Sequence, residues 1–344
     1  MSFLFRMMKH LIVYLCLPIF LCNMAAAAES PFRFVNNKDK KQLTIMEAET
    51  PILTYQYDVI EHENVPASDP RRTAGCYVHP LYGLNGEILT DNAATDHYHH
   101  HGVFWTWPHV GVHEQDGTIT EYDLWTSNTA LKQHFVCWMK LSRSEQAATV
   151  EVENGWYIGN PLDNKKIMTE RVWITAHGVR EDLAGTLENV KSRAVDFAFR
   201  WQPLDNPLSL RGSEGKSYGG FSVRFKPFVP VGKTEAERSE INKITIPTGI
   251  AENDLPETPL AWADYTSTFG VQPSGAAIFV PKAHPDFPPT WLTRYYGPLC
   301  VGYPGVKGRT LQANEILYVH YRIWIHEGSV TVPQIEKAYE EYNK

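Results

Sequence analysis

The sequence predicts an all-β protein, built as one large antiparallel β-sandwich that ends in a short C-terminal helix. Three observations carry this. Short runs rich in β-branched and aromatic residues follow one another from Leu43 to Ile325, most with alternating polarity. The connections in the middle of the chain are short and hold Asn-Gly, His-Gly or basic residues. Only the residues after Val332 carry a helical pattern.

The elements are taken in order. Arg6 and Lys9 form a positive start, Leu11 to Cys22 an apolar run, and Ala25 to Ala28 a small-residue cleavage region. Residues 1–28 therefore read as a signal peptide and 29–344 as a single β-sandwich domain. Strands are expected at 43–47, 52–57 and 75–80, with Asp69-Pro70-Arg71-Arg72 a turn and Asn85-Gly86 another. The run Val103 to Trp107 enters the core. A meander follows over 134–141, 148–153, 167–176, 180–190 and 195–201. Adjacent Gly219 and Gly220 imply close backbone approach before a strand at 221–225. Further strands are expected at 244–247, 261–265, 270–272, 276–280 and 316–325. Val332-Pro333 opens a helix running to Tyr342. A mutarotase-like supersandwich is one form that such a sandwich can take.

Composition narrows the function. Loss of the leader takes the formal charge from −7 to −9, so the mature chain would repel the phosphates of a nucleic acid. No second apolar run is long enough to span a bilayer, which places the mature protein in the periplasm or outside the cell. Cys76, Cys137 and Cys300 remain after cleavage, an odd number that excludes a disulfide framework.

Chemistry gathers at Asp96-His97-Tyr98-His99-His100-His101-Gly102, where four of fourteen histidines fall within five residues. Imidazole moves protons near neutral pH and binds metals. On an extended strand His97, His99 and His101 share one face and His100 the other. That face would suit a divalent transition metal such as Zn²⁺. Acid–base chemistry is the competing reading: a histidine base beside an arginine suits removal of a proton from a sugar carbon next to a carboxylate. The catalytic candidates are His97, His99, His100, His79, Arg224 and Asp264. Substrate contacts fall to Trp105, Trp125, Arg294 and His284, since sugar faces stack on aromatic rings. Hydrolysis would need two facing carboxylates; Asp96, Glu114, Asp123 and Asp264 are available. If the site is as read, His79, Asp123, Arg224, Asp264 and Arg294 gather around the histidines.

Several segments resemble the DUF6807 family, also named for methane oxygenase PmoA. They are Tyr77-Val78-His79-Pro80-Leu81, the Asp96–Trp105 block, Asp123-Leu124-Trp125, Gly219 to Arg224, Trp262 to Tyr265, and His284-Pro285 with Trp291 to Gly297. They span most of the mature chain in the family's order, and the Asp-His-x-His-His block is the specific part. The chain departs from the family at Tyr98 and His101, where proline and a basic residue are usual. The resemblance implies a β-sandwich found often in bacteria that degrade complex carbohydrates. The expected function is an exported carbohydrate lyase or hydrolase with a histidine-centred acid/base site. The alternatives are a non-catalytic carbohydrate-binding sandwich and, from the family label, a metal-dependent oxidoreductase.

Overall fold

The computed structural model describes residues 30–344 apart from 127–129, 160–162, 164, 182–189 and 228–240. The expected signal peptide lies outside the described residues. Two large antiparallel sheets face each other. One runs, in spatial order, 32–37, 42–47, 50–61, 73–81, 103–106, 220–224, 298–302, 290–293 and 255–259. The other has 131–143, 147–158, 166–177, 191–203, 317–327, 274–279, 262–267, 243–246 and 249–250, with 180–181 paired beside 191–203. A four-stranded sheet and the two-stranded hairpin 92–94/97–101 complete the strands among the described residues.

The meander shows why these residues form sheet. Strand 166–177 alternates Met168, Glu170, Val172, Ile174 and Ala176 inward with half-exposed residues outward. Strand 191–203 does the same with Val195, Phe197, Phe199 and Trp201. A period of two puts each set on one face of the pleat. One contiguous buried cluster draws on both large sheets, including Trp105, Trp107, Trp156, Trp201 and Trp291.

The helix forms at Val332–Tyr342 as expected. Pro333 sits in its first turn, where no N–H partner is lost. Gln334 accepts the Thr331 N–H at 2.8 Å, and Ile335, Ala338 and Tyr339 are buried. No helix among the described residues is long and apolar enough to cross a membrane. Cys76, Cys137 and Cys300 are all free.

Two expected strands differ. Residues 270–272 form bends, and Val271 is 92% exposed; Gly270 and Pro273 bracket a loop too short to pair. Of the run 180–190, only 180–181 is strand among the described residues. The glycine expectation holds. Gly220 has φ of 121°, and a Cβ there would lie 2.7 Å from the Val301 carbonyl.

Candidate functional site: a stack of imidazoles beside a buried arginine

The histidine stretch forms its own hairpin with 92–94 before the chain enters the sheet. Gly102, at φ 52°, makes the turn, and any Cβ there would overlap the Val78 carbonyl. Arg224 ends strand 220–224 and ties both ends of the hairpin. Its N–H donates to the Gly102 carbonyl at 2.7 Å, and its carbonyl accepts from Asp91 N–H at 2.9 Å.

The alternation expected along 97–101 does not hold. The hairpin register shifts between Asn92 and Ala94, and Ala93 has φ 47°, so the strand is irregular. His97 stacks parallel on His100 at 4.8 Å and on Tyr296 at 5.0 Å. His99 meets both imidazoles edge-on, at 5.6 and 4.6 Å. The Arg224 guanidinium lies 4.8 Å from the Tyr296 ring centre. Phe104 and Trp125 close the inner end against His100, which is buried. His97 and His99 keep partial exposure and are the imidazoles a ligand can meet.

Arg224 is buried and donates through Nη2 to both oxygens of Asp96, at 3.0 and 2.9 Å. Asp96 Oδ2 also lies 3.1 Å from His97 Nδ1, a charge contact without hydrogen-bond alignment. Burial works to raise the Asp96 carboxyl, but Arg224 and His97 outweigh it and its pKa falls below the usual value. Burial, then the neighbours His97, Arg71 and Arg224, holds the His99 imidazole down at about 4. His100 lies well below its ordinary value for the same first reason. Five buried nitrogens here make no hydrogen bond: Nδ1 of His97, His99 and His100, and Nε and Nη1 of Arg224. Buried polar atoms are normally satisfied, so a group of five marks a place built for something else.

A second imidazole group stands behind the first. His101 stacks on His62 at 4.9 Å and meets the Tyr77 ring at a tilt at 5.0 Å, with its Nδ1 3.0 Å from Asn92 Oδ1. His79 lies 3.0 Å from Thr90 Oγ1. Burial holds His62 and His79 at about 4, helped by Arg72 for the first and by His62 and Lys226 for the second. A cavity of about 20 Å³ lined by Tyr77, His99, His101, Trp125 and Lys132 separates the groups. It has room for one water.

The other candidates fall into place as follows. Arg294 opens the turn that presents Tyr296, and its own guanidinium pairs with Asp254 at 3.0 Å. Trp125 packs between the imidazoles and Tyr218. Asp264 is a correction. It alternates with Tyr265, whose ring faces Phe225 in the core, so its carboxylate points to the sheet's other face. There it takes His326 at 2.9 Å and Thr266 at 2.8 Å. Trp105 is a second correction, since it is fully buried against Phe199 between the sheets. His284 is a third. It packs on Tyr303 and Tyr321, and no contact joins it to the histidine stretch. Asp123 accepts from both Thr126 N–H and its hydroxyl, a turn cap, and Glu114 accepts from Asn206. For metal, His97, His99 and His101 do not converge, because His101 turns to Asn92 and His62. No group of three or more His, Cys, Asp or Glu among the described residues could hold an ion.

Sequence reading missed Tyr296, His62, Asn92 and Lys226. Tyr296 had a signal, an aromatic immediately before a glycine in a motif segment; Gly297 has φ 124°. His62 had none, because it stands alone between two glutamates.

A family model described as a family of unknown function (DUF6807) matches residues 42–340. The chain belongs to this family. No curated protein matches it. Among solved structures, a galactose mutarotase-related enzyme from Lactobacillus acidophilus is 7% identical. That match covers 87% of this chain and 99% of the other, with a TM-score of 0.35. A galactose mutarotase-like protein from Clostridium acetobutylicum is 6% identical, over 86% and 98%, with a TM-score of 0.38.

Two expectations follow for this DUF6807 chain. Thermal stability should fall steadily from pH 7 to pH 4. The unfolded histidines take up protons near 6.5, whereas folded His62, His79, His99 and His284 do so only near 4. Between these values the unfolded state holds more protons, so stability rises with pH and is lost as pH drops. The slope is about 1.4 kcal/mol per pH unit for each proton of difference. Melting scans check this; a flat Tm from pH 7 to 5 would show that the imidazoles are solvated. The second concerns His101→Arg, which the family's basic residue made look harmless. Position 101 is buried beside His62 and lies within the field of Lys132. The variant should melt several degrees lower, and an unchanged Tm would show that a cation is accommodated there.

Proposed function

We propose that this chain is an exported enzyme that acts on poly- or oligosaccharides by acid/base chemistry at His97 and His99. The observation that carries the reading is the group of five buried nitrogens without a hydrogen bond, on imidazole and guanidinium, in a half-open setting walled by aromatic rings. A His99 with a pKa near 4 is neutral at pH 7 and free to accept a proton. Tyr296 keeps partial exposure and lines the mouth of the site. The export assignment rests on the apolar leader, and residues 29–344 are taken as the exported sandwich.

Elimination is better supported than hydrolysis. A hydrolase needs two carboxylates across the scissile bond. Here Asp96 is bound to Arg224, Asp123 and Glu114 hold loops, and Asp264 lies on the far face. In elimination an imidazole nitrogen takes a ring proton. The electron pair forms a carbon–carbon double bond, the neighbouring C–O bond breaks, and the leaving oxygen is protonated.

The test incubates the mature protein with neutral and acidic polysaccharide fragments, reading ultraviolet absorbance and reducing ends separately. New absorbance together with reducing ends supports elimination. Reducing ends alone indicate hydrolysis. Binding without either product would make the chain a carbohydrate-binding sandwich and sink the enzyme reading.

A further inference from the structure

Beside the imidazole stack lies an open cleft of about 430 Å³, lined by Asn64, Asp91, Asn92, Asp96, Arg224, Lys226 and Tyr296, among others. Its size falls within the range of small-molecule sites, about 300–1,000 Å³. Its floor is Arg224, whose side chain is only 3% exposed. One of its three nitrogens engages Asp96, while Nε and Nη1 make no hydrogen bond. A guanidinium is planar and always charged, and its N–H groups match the two oxygens of a carboxylate. Asp96 already shows this recognition, since both its oxygens sit on Nη2.

We infer that the cleft takes saccharides bearing a carboxylate, with the acid group of a hexuronate seated on the free nitrogens of Arg224. This deepens the proposed function and rests on its placing of the site. The cleft is lined by groups of both signs. Arg224 and Lys226 are positive, and Asp91 and Asp96 are negative. His97 and His99 stand beside them. A neutral sugar offers Nε and Nη1 only uncharged acceptors, which bind a guanidinium more weakly than the paired oxygens of an acid. Tyr296 lies over the guanidinium, so its ring must shift for the acid to reach Nε and Nη1. Seating an anion beside Arg224 offsets the cationic field on His99, so binding draws a proton onto an imidazole.

The experiment is calorimetry at pH 6 with galacturonate, glucuronate and mannuronate, each beside its uncharged methyl ester, in two buffers of different ionisation enthalpy. At least one acid should bind tenfold or more tightly than its ester, with net proton uptake. Arg224→Gln should lose that preference, and Arg224→Lys should weaken it. If the glutamine variant fails to melt cooperatively, the wild-type ratio and the lysine variant decide. Equal affinity for all acids and esters overturns the inference, as does an acid preference that survives in a folded Arg224→Gln protein. Acid-selective binding without turnover would sink the enzyme reading and leave this inference standing. Turnover of neutral glycans with no acid preference would do the reverse.

Discussion

Replacing Glu170 with methionine should unfold the protein or lower its Tm by well over ten degrees. Glu170 is fully buried between the two large sheets. Its carboxylate accepts from Trp201 Nε1 at 2.7 Å, Asn154 Nδ2 at 2.8 Å, Trp156 Nε1 at 3.0 Å and Gln133 Nε2 at 3.1 Å. Asn154 in turn accepts from the Tyr55 hydroxyl at 3.1 Å, so the network links one sheet to the other. Methionine matches the volume and removes every acceptor. Each orphaned buried donor costs about 1–3 kcal/mol, and four of them approach the ~5–15 kcal/mol that holds a domain together. Replacing a whole buried polar network by apolar groups can be neutral, but here only its centre is lost. Glu170→Gln keeps one acceptor oxygen and should fall between. Melting and denaturant titration of the three proteins check this. A methionine variant that melts within two degrees of wild type would show that the donors find other partners.

His99→Ala should lower turnover by about 10²–10⁴-fold while leaving the Tm within a few degrees. His99 touches His97, His100 and Trp125 through ring contacts, its Nδ1 bonds nothing, and it keeps partial exposure. Its removal therefore deletes a proton acceptor without opening the sealed core behind His100. His100→Ala makes the contrast. That ring is buried against Phe104 and Trp125, so its loss should cost stability as well as rate. The measurements are turnover on an accepted glycan and thermal melting on both variants. Full activity in His99→Ala would move the chemistry to another imidazole. Loss of cooperative melting in His99→Ala would make the stack structural.

Much of this molecule was legible before any coordinates. Period-two alternation over 167–176 and 195–201 places a strand and its buried face at once, because a pleat admits no other inward set. Val332-Pro333 marks a helix start, because proline fits only the first turn. The crowding of His97 to His101 picks out the candidate site, since neighbouring imidazoles rarely all find partners. The family segments held as well, and residues 42–340 match the DUF6807 model.

What the chain alone could not decide is which side chains meet. Alternation assigned His97, His99 and His101 to one face, and an irregular hairpin register sent His101 to His62 and brought His97 onto His100. Asp264 and Trp105 carried the right chemistry in the right motifs, but sheet pairing turned one to the far face and buried the other. Arg224 came to the histidines because the backbones of Asp91, Gly102 and Arg224 are hydrogen-bonded across more than a hundred residues. The sequence determined the strands, the helix and the residue types of the site, because those depend on local spacing. Only the tertiary structure decided the partners, because register and the choice of facing sheet depend on contacts between segments far apart in the chain.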